Sequence, residues 1–386
     1  MNGTDKTLRL AIIRQRYNPY GGAERFIERA LGALVREGAE VTLITRNWTG
    51  APQEGFRKIV CDPSYSRLLG GRAARDRSFA EAAQREMWAG AYDITQSHER
   101  IPGCMIFRAG DGVHAAWLDH RARDQSALAR LAVRLSPFHR FIIRQEAAML
   151  AAPELRAVIC NSQMVREEMR RYYDVPDSKL VVIENGVDLG AFSPDVATEW
   201  RQQQREALGL DSEVPVFLYV GSGFARKGVP QLIAALARCS NRYSRLVIVG
   251  EDKHAAAYQR QAGQLGIAQR VLFAGPQKDV RPFYGMADAF VLPTRYDPMP
   301  NAALEALACG LPTITSTTCG IAARVHNGEN GFVCDALDVD ALARYFDTLA
   351  APGKAHAMRE AARASVADLD LERMAGQLLG LYLRLR

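Results

Sequence analysis

Short apolar runs recur along the chain, separated by stretches in which apolar residues return every three or four positions. In the first half the runs are LRLAII (8–13), VTLIT (41–45), CMIF (104–107), AVIC (157–160) and LVVI (180–183), each of strand length. Between the first two, Ile27, Ala30, Leu31 and Leu34 keep helical spacing on one face. The alternation restarts with VFLYV (216–220), RLVIV (245–249), VLF (271–273), AFVL (289–292) and PTIT (312–315). Helical patterns in this half fall at about 229–240, 254–266, 301–309, 338–350 and 354–366. Continuous apolar strands alternating with helices predict an α/β fold with parallel sheets covered on both faces.

A polar stretch, FSPDVATEWRQQQREALGLDSEVP (192–215), parts the two series and is predicted to be an interdomain linker with a short helix. The expected organisation is two tandem doubly wound, Rossmann-like domains over 1–188 and 189–366. The amphipathic end of the chain, 367–386, forms a helix packing back toward the first domain. Sheets of this kind take ligands beyond the carboxyl ends of their strands, so the site is expected in a cleft where the two domains face each other. The 386 residues suffice for two full cores.

Composition adds three points. Of 49 basic residues only seven are lysine, and the net charge is +6. That excess suits an anionic ligand, a phosphorylated substrate or an acidic membrane surface, and is too weak and dispersed for a nucleic-acid partner. Seven cysteines, an odd number without a CxxC pair, lie largely in apolar runs and read as reduced thiols of a cytoplasmic protein. The start MNGTDKTLRL lacks the apolar region of a signal peptide, and no apolar stretch reaches the roughly 18 residues of a membrane span. The expected location is the cytoplasm, with peripheral association at the inner face of the membrane.

Five segments carry candidate chemistry. NPYGGAERF (18–26) follows the first strand and opens a helix; Gly21 and Gly22 let backbone approach a phosphate, or simply form a tight turn. VGSGFARKGV (220–229) repeats that context with Arg226 and Lys227 at the junction, a diphosphate clamp or a solvated charge pair; it is not a Walker A loop. In RYDPMPNAALEALACG (295–310), Asp297 can accept sugar hydroxyls or initiate a turn. Glu305, among Leu304, Ala306, Leu307 and Ala308, can chelate a ribose diol or lie on a solvated face, although so apolar a setting argues for a partner. FRAGDGVHAAWL (107–118) offers Asp111 and His114, with His98 upstream, to orient an acceptor hydroxyl or hold the transferring sugar; a surface turn is the alternative. Segment 120–144 sets six arginines and two histidines against one acid, Asp124, with apolar residues interleaved. It reads as a basic amphipathic surface for anionic headgroups or as a solvated helix face. The triplets Asp338–Asp340 and Asp368–Asp370 precede helical patterns and read as helix caps, so no metal is expected.

In this order, the GGAER loop, the RKG turn and the acidic residue eight positions before Glu305 resemble the glycosyltransferases of the GT-B fold, specifically the large retaining family 4, over nearly the whole chain. YVGSGFARKGV is similar to the bacterial lipopolysaccharide core glucosyltransferases within it. The resemblance implies that Gly21 and Gly22 approach the donor phosphates and that Arg226 and Lys227 neutralise the nucleoside diphosphate in place of a metal. It further implies that Asp297 touches the donor sugar and that Glu305 holds the ribose. Glu251 and Phe273 fall near the base, and Met299, Asn301 and Ala302 complete the donor set; Asp111, Asp297, His98 and His114 are the catalytic candidates. The chain departs from the family in three places: Asp297 is usually Glu, Pro300 stands where Gly is usual, and Asp111 where many members have His. The implied reaction is retaining, metal-independent transfer of a hexose, glucose, from a UDP-sugar to a lipopolysaccharide-core or other lipid-linked acceptor, without a cofactor. A nucleotide-sugar epimerase and a non-catalytic nucleotide-sugar binding protein are the alternatives.

Overall fold

In the computed structural model, residues 7–17, 32, 35, 38–48, 55–66 and 71–386 are described. The predicted helix over Ile27–Leu34 and the glycines Gly21 and Gly22 lie outside the described residues. The chain divides into two units, Met1–Asn185 with Leu371–Arg386, and Gly186–Asp370.

The first unit is built on β1 (Arg9–Ile13), β3 (Glu40–Thr45), β5 (Phe56–Val60), β6 (Ile94–Ser97), β7 (Ile106–Arg108), β8 (Ala157–Cys160) and β9 (Leu180–Val182). All neighbours are parallel, in the order β5-β3-β1-β6-β7-β8-β9. Two short strands, β2 (Arg16–Tyr17) and β4 (Asn47–Trp48), pair separately. Leu10, Ile12, Val41, Leu43, Ile94, Ile106 and Ile159 form one side of the core, and Met374, Leu378, Leu381 and Tyr382 from the Leu371–Leu385 helix close over it.

The second unit carries β10 (Val216–Val220), β11 (Arg245–Val249), β12 (Val271–Gly275), β13 (Ala289–Leu292), β14 (Thr313–Ser316) and β15 (Gly331–Cys334), again all parallel, in the order β12-β11-β10-β13-β14-β15. Its core strands are buried on both faces, which is why they read as unbroken apolar runs. Phe217 stacks on Phe346 of the Val339–Ala350 helix with centroids 4.3 Å apart. Strand order reverses between β10 and β13, and between β1 and β6 in the first unit. The loops leaving such a pair diverge to opposite faces and open a crevice at the carboxyl ends.

Three strands of the two large sheets fall outside the predicted apolar runs. ITQS in β6 buries all four residues, but its polar side chains are satisfied internally: the Tyr382 hydroxyl donates to Gln96 at 2.7 Å and the Ser97 hydroxyl to the Glu99 carbonyl at 2.7 Å. FRKIV in β5 is an edge strand, where charge blocks further pairing. GFVC in β15 is the opposite kind of edge, short and opened by a glycine. The helical pattern at 354–366 is two short helices, Lys354–Ala357 and Arg359–Ala364, meeting at Met358.

The expected linker at 192–215 is corrected: it lies wholly inside the second unit. Its helix, Asp195–Ala207, turns inward because Arg205 is buried and fully used. That guanidinium donates to the carbonyls of Met286 (2.9 Å), Asp211 (3.0 Å), Ser212 (2.7 Å) and Val214 (3.0 Å), and to Asp288 Oδ2 (2.8 Å). Of the two acidic triplets, Asp338 is a cap, accepting from the Ala341 N–H at 2.9 Å, whereas Asp368 forms an ion pair with Arg324. Arg205→Leu is expected to destabilise the protein by ~3–5 kcal/mol, because Asp288 and the carbonyls lose their buried partner. A urea midpoint within about 0.5 kcal/mol of wild type, as for an ordinary surface site, would restore the linker reading.

Candidate active site

The loop leaving β10 must turn at once beneath its neighbours, and two glycines allow it. Gly250, at the end of β11, has φ +126°, and a Cβ there would meet the Gly221 carbonyl oxygen at 2.0 Å. Gly221, at φ +151°, leaves room for the Lys227 side chain, whose Nζ would lie 3.3 Å from a Cβ at that position. The loop is pinned by Asp252, which accepts from the Phe224 N–H at 2.9 Å and the His254 N–H at 2.8 Å. The chain then enters the Val229–Arg238 helix.

The loop leaving β13 brings Asp297 to this turn. Lys227 Nζ is 3.2 Å and Arg226 Nη1 3.5 Å from Asp297 Oδ2. The Asp297 side chain is 10% exposed and that of Lys227 15%, against 39% for Arg226, so the arginine is the more accessible cation. Backbone bonds hold the aspartate on both sides: its N–H donates to Thr318 O at 3.2 Å and its carbonyl accepts from Gly320 N at 2.9 Å. The Arg226 carbonyl in turn accepts from the Arg295 N–H at 2.8 Å, which locks the two loops together. Asp297 is therefore neither a surface turn residue nor a cap.

Met299 is buried. Pro300 stands at the N-cap position of the Asn301–Ala308 helix and has no N–H to offer. Asn301 and Ala302, in the first turn, are half-buried, as is Glu305 one turn on. Glu305 has the partner its apolar neighbours called for: the buried Tyr284 hydroxyl donates to Oε2 at 2.9 Å. Phe273 lies in β12 with its ring 6.5 Å from that of Phe224, and Glu251 is exposed at the end of β11.

In the first unit, His98 follows β6 at the strand-order reversal. Its N–H donates to Ile13 O at 2.9 Å, and its ring Nε2 lies 3.0 Å from the Gln96 amide nitrogen, which donates to it. Burial, with Arg108 and Arg14 adding to it, holds the imidazole well below its usual pKa, so it is neutral and accepts. His114 heads the His114–Ala122 helix, 3.1 Å from His139, and burial together with Arg100 and His139 pushes its pKa down to about 3. Asp111 is exposed in the preceding loop, close enough to bear on Glu99 and Arg100 electrostatically.

Several residues at these sites went unread. Glu99, adjacent to His98, accepts from the Gln15 N–H at 2.9 Å, and burial raises its carboxyl pKa against the opposing Arg14. Glu146 is fully buried and organises the His114 loop, taking Arg100 Nε at 2.8 Å, the Tyr173 hydroxyl at 2.6 Å and the His114 N–H at 3.1 Å. QSHER announced Glu99 by position; Glu146 sits in a helix with no local sign of its role. Tyr219, read only as strand core, places its hydroxyl 3.5 Å from the Cβ position of Gly221.

Comparison with known proteins decides the family. "Glycosyltransferase Family 4" matches residues 20–191 and "Glycosyl transferases group 1" residues 201–365. A GDP-mannose-dependent alpha-(1-6)-phosphatidylinositol monomannoside mannosyltransferase of Mycolicibacterium smegmatis is 34% identical over 364 residues, 89% of each chain. The chain belongs to the family 4 glycosyltransferases. The lipopolysaccharide glucosyltransferase WaaG of Escherichia coli is 25% identical over 327 residues, 84% of each chain. The crystal structure of a WaaG involved in lipopolysaccharide biosynthesis superposes with a TM-score of 0.81 at 22% identity, covering 97% of this chain and 99% of that one, and shares the GT-B fold. This glycosyltransferase thus carries the family's two α/β units.

Because His98 stays neutral when folded but takes a proton when unfolded, stability falls as pH drops below about 6.5. Between pH 7.5 and 5.5 the His98 share of the loss is ~1 kcal/mol. Urea unfolding at both pH values should show a smaller drop for His98→Gln; an identical drop would mean that His98 takes up its proton in the folded state.

Proposed function

We propose that this glycosyltransferase is a retaining, metal-independent enzyme that moves glucose from UDP-glucose to a lipopolysaccharide-core or other lipid-linked acceptor. The observation that carries the reading is the pair of cations, Arg226 and Lys227, gathered at the strand-order reversal around one aspartate. A diphosphate entering there exchanges one carboxylate for two anionic groups as partner of the cations, with Arg226 able to bind as a fork. Asp297, released from them, accepts donor-sugar hydroxyls, and Glu305, oriented by Tyr284, takes the ribose diol.

The chemistry balances without a covalent enzyme intermediate. The sugar C1–O bond to the β-phosphate breaks and its electron pair leaves on the diphosphate, which the two cations stabilise. The acceptor oxygen bonds to C1 on the same face, and its proton passes to the departing phosphate oxygen. In the first unit, His98, Asp111 and His114 are the groups offered for orienting the acceptor, with both imidazoles neutral and serving as hydrogen-bond partners. The E. coli relative is named for glucosyl transfer to lipopolysaccharide and the M. smegmatis relative for a phosphatidylinositol monomannoside, so both names specify amphiphilic acceptors.

The basic segment 120–144 supports work at an anionic membrane surface on the cytoplasmic side. Its Ala127–Leu135 helix has no buried residue, and Leu128, Leu131 and Leu135 are exposed beside Arg130 and Arg134. No helix among the described residues is long and apolar enough to cross a membrane. Leu128→Ser with Leu131→Ser is expected to reduce cosedimentation with phosphatidylglycerol vesicles; unchanged binding would remove the segment from the membrane.

The donor is tested by thermal shift with UDP-glucose, UDP-galactose and GDP-mannose. UDP-glucose is expected to raise Tm most, since a ligand at about 100 times its Kd stabilises the folded state by ~2.7 kcal/mol. Lys227→Ala and Glu305→Ala should each weaken that binding at least roughly tenfold, the loss of one charged hydrogen bond, while each ligand-free variant still unfolds cooperatively. Wild-type affinity in both variants sinks the donor assignment, and a larger shift with GDP-mannose replaces the sugar and base.

A further inference from the structure

Away from the strand ends, the first unit has a cavity of about 670 Å³ between the Gly71–Ala89 and Pro137–Leu150 helices. Arg77, Glu81 and Gln84 line it from the first helix, and Arg140, Phe141 and Arg144 from the second. The spacings place these residues on one face of each helix, with Arg140 and Arg144 one turn apart. The arginines are not held by acids. Arg75 nearby pairs with Asp76 at 2.8 Å and Arg100 with Glu146 at 2.8 Å, whereas among the described residues Arg77, Arg140 and Arg144 form no ion pair. Arg77 is instead stacked 5.2 Å above the Phe141 ring, which fixes the guanidinium plane and leaves its N–H edges available. On the same helix, the Gln84 amide donates to Pro102 O at 2.8 Å, and Pro102 also lines the cavity.

We propose that this cavity is an anion subsite that binds a phosphate monoester carried by the acceptor. Three guanidinium groups against the single carboxylate of Glu81 leave an excess of two positive charges. A monoester is close to a dianion at neutral pH and presents three acceptor oxygens to forked donors. The subsite deepens the transferase reading, since it gives the acceptor a phosphorylated sugar. The Pro137–Leu150 helix that supplies Arg140 and Arg144 also packs against the Ala127–Leu135 helix, whose leucines are exposed. A phosphorylated glycan and a phospholipid headgroup share this chemistry, and the test separates them.

Glucose 6-phosphate is the soluble probe, read by isothermal titration, with glucose as the uncharged control. The lipid probe is phosphatidylcholine vesicles containing phosphatidic acid, whose headgroup is a monoester, against vesicles containing phosphatidylglycerol, a diester. The triple variant Arg77→Gln, Arg140→Gln, Arg144→Gln should bind glucose 6-phosphate at least roughly 30-fold more weakly than wild type. The charge-matched control Arg57→Gln, Arg260→Gln, Arg344→Gln, all exposed positions elsewhere, should keep wild-type affinity, as should Lys227→Ala. A preference for phosphatidic acid vesicles that the triple variant loses, without glucose 6-phosphate binding, retains the subsite and assigns the phosphate to a lipid. Equal losses in the triple variant and its control, or binding of neither monoester by the wild type, overturns the proposal. Because no turnover is measured, that failure is distinct from failure of UDP-glucose to bind at Arg226 and Lys227. The six substituted arginines are exposed, and unfolding curves check that all the variants fold.

Discussion

Two cations share one carboxylate at the top of the second sheet, and much of the unit is arranged to make that possible. Arg226 and Lys227 come from the loop after β10, Asp297 from the loop after β13, and the strand order reverses between those two strands. Left alone, charges so close to an apolar sheet would be costly to desolvate. The close backbone approach of Gly221 to Gly250 lowers the turn so that Lys227 can lie across it, and Thr318 and Gly320 hold Asp297 from behind. The ion pair thus keeps both cations and the aspartate partnered at the end of the sheet.

The first unit solves the matching problem with a buried acid instead. Glu146 gathers a guanidinium, a phenol and a backbone N–H, which fixes the loop that carries His114. Nearby imidazoles are kept neutral by burial and by surrounding arginines. Around Asp297 the second unit therefore presents paired charge, whereas around His98 and His114 the first presents neutral imidazoles.

The parallel sheets were legible because strands buried on both faces are apolar without interruption, and all ten such runs overlap strands. What escaped was structure stabilised by polar groups. β6 is built from Ile94, Thr95, Gln96 and Ser97, and it is Tyr382, 286 residues away from Gln96, that makes its burial tolerable. Arg205 likewise looked like one charge in a polar linker, and its five acceptors, two of them more than 80 residues away, reveal a packed helix. In the site, Arg226, Lys227, Asp297 and Glu305 were visible from local context: glycine turns after strands and a carboxylate among alanines and leucines. Glu99, Glu146 and Tyr219 were not, because their importance lies in partners far along the chain. The arginine cavity was half visible, with two of its three cations in the basic segment and the third, Arg77, on a helix of no obvious pattern.

The placement of the Leu371–Leu385 helix has a consequence for how the chain reaches its fold. The second unit is contiguous, whereas the first lacks Met374, Leu378, Leu381 and Tyr382 until the whole of the second unit has been translated. During synthesis the first unit therefore waits, with part of its sheet uncovered, while the unit encoded after it completes its own core. The core of the unit translated first is thus the one whose last pieces are translated last.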